Sequence, residues 1–164
     1  MKIPRFFAAC AVLITMGNTA VAYDMIPNNQ NSIVQSYNNV DVNHAIAIIN
    51  SRNYRNSSDY QESTINLSAV NLRHPHILSI STSGSQLQGN ITLNGKVIRQ
   101  IRGKRAYVNL SPYLSVGKHT VKISTRYSPA SSSVNVKFSG FGINVTQETS
   151  GTGVLNYTLN VGVY

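Results

Sequence analysis

The sequence predicts an all-β protein, an antiparallel β-sandwich of the jelly-roll or immunoglobulin-like type that follows a cleaved signal peptide. After Ser63, apolar and polar residues alternate in about eight short runs, a period that buries one face of a strand and exposes the other. Dipeptides typical of tight turns separate these runs. The only cysteine, Cys10, lies in the leader, so the mature domain has to be stabilised by a hydrophobic core rather than by disulfides.

The first 22 residues have the order of a secretory signal peptide. Lys2 and Arg5 precede an apolar run, residues 6–16, and the small-residue motif Ala20-Val21-Ala22 follows. The apolar run is shorter than the roughly 20 residues that a membrane-spanning helix needs. We therefore expect cleavage after Ala22, no transmembrane helix after cleavage, and a secreted, periplasmic or cell-surface protein.

The mature chain is expected to consist of an arm and one domain. Residues 23–39 are rich in Asn, Gln and Ser and cannot bury much apolar surface, which predicts a polar N-terminal arm. Residues 40–164 are predicted to form a single β-sandwich domain. Its first apolar run, residues 42–49, fits a short helix and a strand equally well. The polar stretch at residues 50–63 predicts a loop.

The strands of the domain are predicted from apolar residues two positions apart, with Ser, Thr or Asn between them. The turns are predicted at dipeptides that contain glycine or proline. The apolar positions are Ile65 and Leu67, Leu78 and Ile80, Ile91 and Leu93, Val108 and Leu110, Val121 and Ile123, Val134, Val136 and Phe138, Ile143 and Val145, and Leu155, Tyr157, Leu159, Val161 and Val163. The turn dipeptides are Ser83-Gly84, Asn94-Gly95, Arg102-Gly103, Val116-Gly117, Ser128-Pro129 and Ser150-Gly151.

The dipeptide Asn94-Gly95 is the strongest local signal in the chain. A two-residue type I′ turn requires positive φ at both central positions, which Asn and Gly tolerate best. A hairpin at this turn pairs Leu93 with Lys96 and Ile91 with Ile98. Its second arm leads into a glycine-containing turn that carries four cations, Arg99, Arg102, Lys104 and Arg105, which we call the basic turn.

Three neighbouring stretches carry a resemblance to a known family. They are residues 91–97, ITLNGKV, residues 106–114, AYVNLSPYL, and residues 117–123, GKHTVKI. Their sequence resembles the "LNGK … VDLSPYLKPGKNTVEV" pattern of the galactose-binding-like, jelly-roll accessory modules of secreted glycoside hydrolases and related proteins. The resemblance implies a jelly-roll sandwich and a glycan-binding role. Asn109 stands where the family often has Asp, and without any Trp in the chain the resemblance assigns no stacking aromatic.

The positive charge of the chain is concentrated in one region. Eight basic residues and no acidic residue occur from Lys96 to Arg126. Such a field attracts a polyanion, which outside a cell means an acidic polysaccharide or a cell-wall or surface polymer rather than intracellular nucleic acid. A solvated face that only maintains solubility is the alternative interpretation. The candidate ligand-binding residues are Lys96, Arg99, Arg102, Lys104, Arg105, Lys118 and Lys122, with Tyr107 or Tyr113 as stacking residues.

The sequence gives little support to catalysis or to cofactor binding. Asp59 and Glu62 are close enough in sequence for an acid pair, but they lie in a polar stretch that does not raise a carboxyl pKa. No G-x-S-x-G motif occurs. His74 and His76 are spaced so that both could face one metal ion from a strand, yet two ligands are too few for a metal site. We therefore expect no enzyme, no metal and no cofactor.

These observations predict a secreted or cell-surface binding module, noncatalytic, for a glycan or a polyanionic extracellular polymer. The alternative is a structural subunit of an extracellular matrix, pilus or adhesin assembly, whose arm or terminal strand pairs with the sheet edge of another copy. A small outer-membrane barrel is a further alternative, which the register of Tyr164 against the last apolar stripe disfavours.

Overall fold

The computed structural model describes residues 11–16, 19–23, 46–48 and 60–164 of the 164-residue chain. The described residues form strands, turns and two short 3₁₀ turns, Ala69–Arg73 and Ser111–Tyr113, without an α-helix among them. The prediction of an all-β protein is confirmed. Within the described ranges, no helix has the length and apolar character needed to cross a membrane.

Twelve strands are arranged in two six-stranded sheets. In chain order they are β1 (Ala11–Met16), β2 (Thr19–Tyr23), β3 (Ile46–Ile48), β4 (Tyr60–Leu67), β5 (Ile77–Thr82), β6 (Gln86–Leu93), β7 (Lys96–Gly103), β8 (Arg105–Asn109), β9 (Gly117–Ser128), β10 (Ser133–Gly140), β11 (Ile143–Ser150) and β12 (Val154–Val163). The first sheet has the order β2-β1-β11-β10-β5-β8, and the second has the order β3-β4-β12-β9-β6-β7. Every described pair of strands is antiparallel except β4 with β12, which run parallel.

The core is built by the alternation that the sequence predicts. Apolar residues at every second position of the strands are buried, because successive side chains of a strand point to opposite faces. Both sheets contribute to one cluster of buried side chains, among the largest of which are Phe138, Ile65, Leu67, Leu78, Ile80, Leu87, Ile91, Ile101, Ile123, Ile143 and Leu155.

A small polar cluster interrupts this core between β4 and β11. Gln61 and Ser63 of β4 and Gln147 of β11 are buried at alternating positions, and Ser63 Oγ donates a hydrogen bond to Gln147 Oε1 at 3.5 Å. Burial raises the pKa of the neighbouring Tyr157 to about 12, which the hydrogen bond with Ser63 opposes. The cluster therefore links the two sheets through hydrogen bonds where the rest of the core uses apolar contacts.

These polar residues also explain why one predicted boundary, the end of a loop, is wrong. The predicted loop at residues 50–63 ends earlier, because β4 already begins at Tyr60. Gln61 and Ser63 occupy inward-facing positions that apolar residues usually fill, so the period-two pattern is hidden in the first half of β4. Residues 50–59 lie outside the described residues.

The hairpin at Asn94-Gly95 has the predicted turn and a different register. Asn94 has φ of 49° and Gly95 has φ of 83°, and Leu93 is opposite Lys96 as predicted. The predicted pairing of Ile91 with Ile98 is wrong: a shift between Ile91 and Thr92 places Arg99 opposite Ile91. A β-bulge of this kind inserts an extra residue into one strand, and the alternation of apolar residues does not reveal it.

The N-terminal predictions fall partly outside the described residues. Residues 11–16 and 19–23 pair as strands in the first sheet, and cleavage after Ala22 remains a prediction. The polar arm at residues 23–39 is described only at Tyr23. Within the run at residues 42–49, Ile46–Ile48 forms a strand that pairs with β4.

Candidate functional site

The basic turn lies where the chain passes from one sheet to the other. β7 is the outermost strand of the second sheet, β8 is the outermost strand of the first sheet, and Lys104 joins them. Gly103, just before this crossing, has φ of 94°, a conformation that glycine adopts without steric cost. The N–H of Thr82 in β5 donates to the carbonyl oxygen of Lys104 at 3.1 Å. The crossing is therefore fixed to the first sheet by its backbone.

All four cations of the basic turn are exposed. The guanidinium of Arg99 lies 5.9 Å from the ring centroid of Tyr107 in β8, and 67 % of Tyr107 is exposed. The bulge places Arg99 opposite the buried Ile91, so Arg99 points to the core side of this edge strand. The structure thus brings together one predicted cation and one predicted stacking residue from different sheets.

Tyr113, the other predicted stacking residue, lies elsewhere. It belongs to the 3₁₀ turn that follows β8 and is separated from Lys104 by the length of that strand, about 16 Å for five residues. Ser111 Oγ in the same turn donates to the carbonyl oxygen of His74 at 2.7 Å. The turn that carries Tyr113 is therefore anchored beside β5, and the structure does not bring it to the basic turn.

The remaining predicted cations lie on the second sheet. Lys96 begins β7, six residues or about 20 Å of strand before Arg102. Lys118 and Lys122 are exposed residues of β9, where they alternate with buried ones. Lys118 and Lys122 therefore lie on the side of the second sheet that faces away from the core, whereas Lys96, opposite the buried Leu93, lies on the core side of its edge strand. We call the side that faces away from the core the outer face; it is formed by the outward-pointing residues of β4, β12, β9, β6 and β7.

A fourth cation, Arg126, continues the row on β9. Lys118, Lys122 and Arg126 occupy every fourth position and point to the outer face. The register places Arg126 opposite Gln88 of β6, and Gln88 opposite Arg102 of β7. Arg102 therefore belongs both to the basic turn and to the outer face.

Amide side chains lie between these cations. Asn90 of β6 is opposite Ser124 of β9 on one side and Gln100 of β7 on the other. A shallow groove of about 280 Å³ runs over this part of the sheet, and its lining includes Gln88, Asn90, Val97, Gln100 and Arg102. The groove is thus lined by amide and apolar groups together, with the guanidinium of Arg102 at its border.

An exposed aromatic ring lies at the other end of the outer face. Tyr164 follows β12, and its ring sits over Gly162, where a Cβ atom would come within 2.9 Å of ring atom Cε2. Two backbone hydrogen bonds hold this residue: its N–H donates to the oxygen of Leu67 at 3.0 Å, and its carbonyl oxygen accepts from Ala69 at 2.6 Å. The ring is 69 % exposed and lies beside Lys118, the cross-strand neighbour of Gly162.

The outer face also carries a carboxylate. Glu62 of β4 accepts a hydrogen bond from Asn160 Nδ2 of β12 at 2.6 Å. Asn160 in turn accepts one from Thr120 Oγ1 at 3.3 Å. Asp59, the other member of the candidate acid pair, lies outside the described residues. Glu62 is therefore part of a hydrogen-bonded row that crosses three strands.

His74 and His76 do not share a face as the candidate spacing required. Both residues precede β5, so the alternation of a strand does not apply to them. The ring of His74 stacks on Phe141 with centroids 4.7 Å apart, whereas the ring of His76 is fully buried beside Phe138. Among the described residues, no three His, Cys, Asp or Glu side chains are grouped as metal ligands would be.

His76 is instead a structural residue. Its Nδ1 donates to the carbonyl oxygen of His74 at 2.9 Å, and its Nε2 is buried without a hydrogen-bond partner against Gly140. Burial lowers the pKa of His76 below the ordinary value of 6.5. The ring is therefore neutral at physiological pH.

Sequence reasoning missed two features of the outer face. Arg126 was counted in the charge cluster but not among the ligand-binding candidates, although its spacing of four from Lys122 marks the same strand face. The position of Tyr164 on the outer face is indicated in the sequence only by Gly162, a glycine inside a strand that leaves room for a ring.

Comparison of the chain with protein-family models, with curated proteins and with solved structures finds no match. The resemblance to galactose-binding-like modules therefore stays a prediction that is based on residues 91–123.

Proposed function

We propose that this protein is a noncatalytic binding module, exported by a signal peptide that is removed after Ala22, which binds a polyanionic extracellular polymer or glycan through the basic turn. The observation that carries the proposal is the exposure of four cations at a single crossing between sheets. The whole described part of residues 60–164 contains ten basic residues and only two acidic ones, Glu62 and Glu148. A loop held by a rigid scaffold is a usual place for a binding site.

We further propose that the two sheets pack face to face as a sandwich. Support comes from the cluster of buried residues to which both sheets contribute. Strands β5 and β8 are paired in one sheet, and β6, β9 and β12 are neighbours in the other. These pairings correspond to the B–E and C–F–G pairings of immunoglobulin-like sandwiches, so we favour that topology over a jelly roll.

Changing Arg99, Arg102, Lys104 and Arg105 together to Ser tests the basic turn. We expect the mature parent to be retained on a sulfated-polysaccharide column and to elute earlier as salt is added, because screening weakens interactions between exposed charges. The quadruple variant is expected to pass through the column with an unchanged melting temperature, since each exposed substitution alters stability by only about 0.5 kcal/mol.

The matched control is a variant with Arg73→Ser and Lys137→Ser, which removes exposed cations from other parts of the surface. It should be retained nearly as well as the parent. Equal retention of the quadruple variant and the parent at the same ionic strength would show that the basic turn only keeps the protein in solution.

A second candidate function, a subunit of an extracellular assembly, is favoured by the edge at β11. The edge strands β7 and β8 carry the cations of the basic turn, whereas β11 contains a single charged residue, Glu148, and no proline. Charges and prolines protect sheet edges against pairing with other chains. In the full chain β1 covers β11, with Leu13 opposite Thr146. Removal of the leader would open this edge to a strand from a second copy.

The assembly candidate is tested on the mature protein, residues 23–164, with the variant Thr146→Lys. A lysine on an edge strand disfavours pairing with another edge, so oligomers of the parent should dissociate in the variant while both melt at similar temperatures. Size-exclusion chromatography with light scattering measures the mass. A parent that is monomeric at high concentration would rule out assembly through β11.

A further inference from the structure

The outer face has the composition of a binding surface rather than of a plain solvated sheet. Its cations form an ordered row: Lys118, Lys122 and Arg126 extend over eight residues of β9, about 26 Å. Arg102 lies two strands away from Arg126 in the same cross-strand row. The one described carboxylate of the face, Glu62, lies on β4 near the opposite edge and is held by Asn160. The charge over β9, β6 and β7 is therefore entirely positive.

The side chains between the cations are amides and hydroxyls. Gln88, Asn90 and Gln100 border the shallow groove, and Ser124 lies beside them on β9. Such groups both donate and accept hydrogen bonds, which matches the hydroxyls of a sugar. The groove thus combines donors for hydroxyl groups with Arg102, whose guanidinium can bind a carboxylate or a sulfate through two parallel hydrogen bonds.

The exposed ring of Tyr164 completes the surface. The ring lies over Gly162, so it is presented on the face of the sheet beside Lys118 rather than projecting from it. An aromatic face in this position provides an apolar platform for the C–H side of a sugar ring. Its backbone is fixed on both sides by Leu67 and Ala69, which limits the entropy lost on binding.

We propose that the outer face binds a linear acidic polysaccharide, one sugar ring of which stacks on Tyr164 while its acidic groups contact Lys118, Lys122, Arg126 and Arg102. This inference rests on the proposed function and extends the contacts of the same polymer from the basic turn, through the shared Arg102, onto the outer face of the sheet. The groove at Asn90 and Gln100 binds the hydroxyls of a ring farther along the polymer.

The composition of the face favours a polysaccharide over other polyanions. Single-stranded nucleic acid is bound by several aromatic side chains in sequence, on which its bases stack. The face offers only Tyr164 and the exposed Tyr60, which lie at opposite ends of the β4–β12 pair, and the cations lie on β9 and β7, to one side of both rings. A membrane surface would require several exposed apolar side chains beside the cations. Among the residues that line the groove, Val97 is the only apolar one whose side chain is exposed.

The experiment measures binding of the full mature protein to polygalacturonate and to heparin by calorimetry, with dextran as a neutral polymer and oligo-dT as a nucleic acid. We expect binding to both acidic polysaccharides and none to dextran. The double variant Lys122→Ser, Arg126→Ser should raise the Kd by roughly tenfold or more, the factor that one lost charge-assisted hydrogen bond contributes. The control Lys137→Ser removes a cation of β10 in the first sheet. It should change the Kd by less than about twofold, because exposed substitutions away from a binding site have small energetic effects.

Variants at two further residues test the contacts of the outer face. Tyr164→Ala should weaken binding several-fold, and Tyr164→Phe, which keeps the ring, should restore it. Glu62→Gln removes the carboxylate of the face while an amide oxygen can still accept from Asn160, so it should strengthen binding. The loss in Tyr164→Ala and its rescue by Tyr164→Phe change no charge, so they are not expected if charge density alone attracts the polymer.

The outcomes distinguish this inference from the proposed function. If the quadruple variant of the basic turn loses binding while Lys122→Ser, Arg126→Ser and Tyr164→Ala retain it, the outer face is not the site and the basic turn is. If oligo-dT binds more tightly than both polysaccharides, the assignment of the ligand class is wrong. Loss of binding in the outer-face variants, with folding intact by circular dichroism, supports the outer face.

Discussion

At the scale of single residues, His76 illustrates how a histidine that suggests chemistry in the sequence has a packing role in the fold. Its main-chain N–H donates to Ser111 Oγ at 3.0 Å and its Nδ1 donates to the oxygen of His74, so its ring is fixed in one orientation. The other ring nitrogen faces Gly140, where any Cβ would collide with the ring. A proton on that nitrogen would have no acceptor, and the charge would be buried.

The lowered pKa of His76 predicts a pH-dependent stability. The unfolded chain takes up a proton near pH 6.5 and the folded one does so only at lower pH, so the free energy of unfolding is constant above about pH 6.5. It should fall below that pH, with a slope approaching about 1.4 kcal/mol per pH unit, until the folded state also binds the proton. Urea unfolding between pH 5 and pH 8 measures the slope.

Two variants isolate the contribution of His76. His76→Gln should flatten the pH dependence even though its overall stability is lower, because the titrating group is gone. His74→Gln, which removes a partly exposed ring stacked on Phe141, should keep most of the slope. An unchanged slope in His76→Gln would assign the pH dependence to other groups.

At the scale of elements, the hairpin of β6 and β7 is fixed by one asparagine. Asn94 adopts the positive φ that the turn requires, and its side chain also joins the turn to β9. Its Oδ1 accepts from the N–H of Thr120 at 2.9 Å, and its Nδ2 donates to His119 Nδ1 at 3.2 Å. His119 Nε2 donates in turn to the oxygen of Ser115 at 2.8 Å. The turn and the start of β9 therefore form one hydrogen-bonded unit.

Asn94→Ala should lower the free energy of unfolding by about 1 to 3 kcal/mol, since it leaves the buried ring of His119 without this donor and places at positive φ a residue that tolerates it less well than Asn. Asn94→Gly keeps the backbone conformation and loses only the side-chain bonds, so its loss should be smaller. Asn135→Ala, which removes a partly buried asparagine from β10, serves as the control and should change stability by about 0.5 kcal/mol. The hypothesis is wrong if Asn94→Ala is as stable as this control in urea.

The individual strands also show where prediction from the sequence succeeds and where it fails. The alternation was sufficient in β5, β9 and β10 because each has at least two apolar residues at successive inward positions: Leu78 and Ile80, Val121 and Ile123, and Val134, Val136 and Phe138. It failed in β4, where Gln61 and Ser63 face inward and Ser63 bonds to Gln147 of the distant strand β11. The bulge beside Ile91 was not predictable either, because an extra residue on an edge strand leaves the apolar pattern of β6 unchanged.

At the scale of the whole molecule, the candidate site depends on pairings between distant segments. The sequence identified the cations, but only the order of strands divides them between a crossing and a sheet face. Arg102 and Arg126 are 24 positions apart in the chain and become members of one row because Gln88 lies between them. Tyr164 joins the same face because β12 is inserted beside β9. Local patterns contain no information about such neighbours.

The place of β12 in the second sheet has a consequence for the order of folding. β12 comes last along the described chain, yet it lies in the interior of its sheet between β4 and β9. These two strands are neighbours only through β12, so the sheet stays in two parts until residues 154–163 are available. Contacts between segments so far apart in sequence also form slowly. The second sheet can therefore close only after β12 has been synthesised, whatever the order in which its other strands pair.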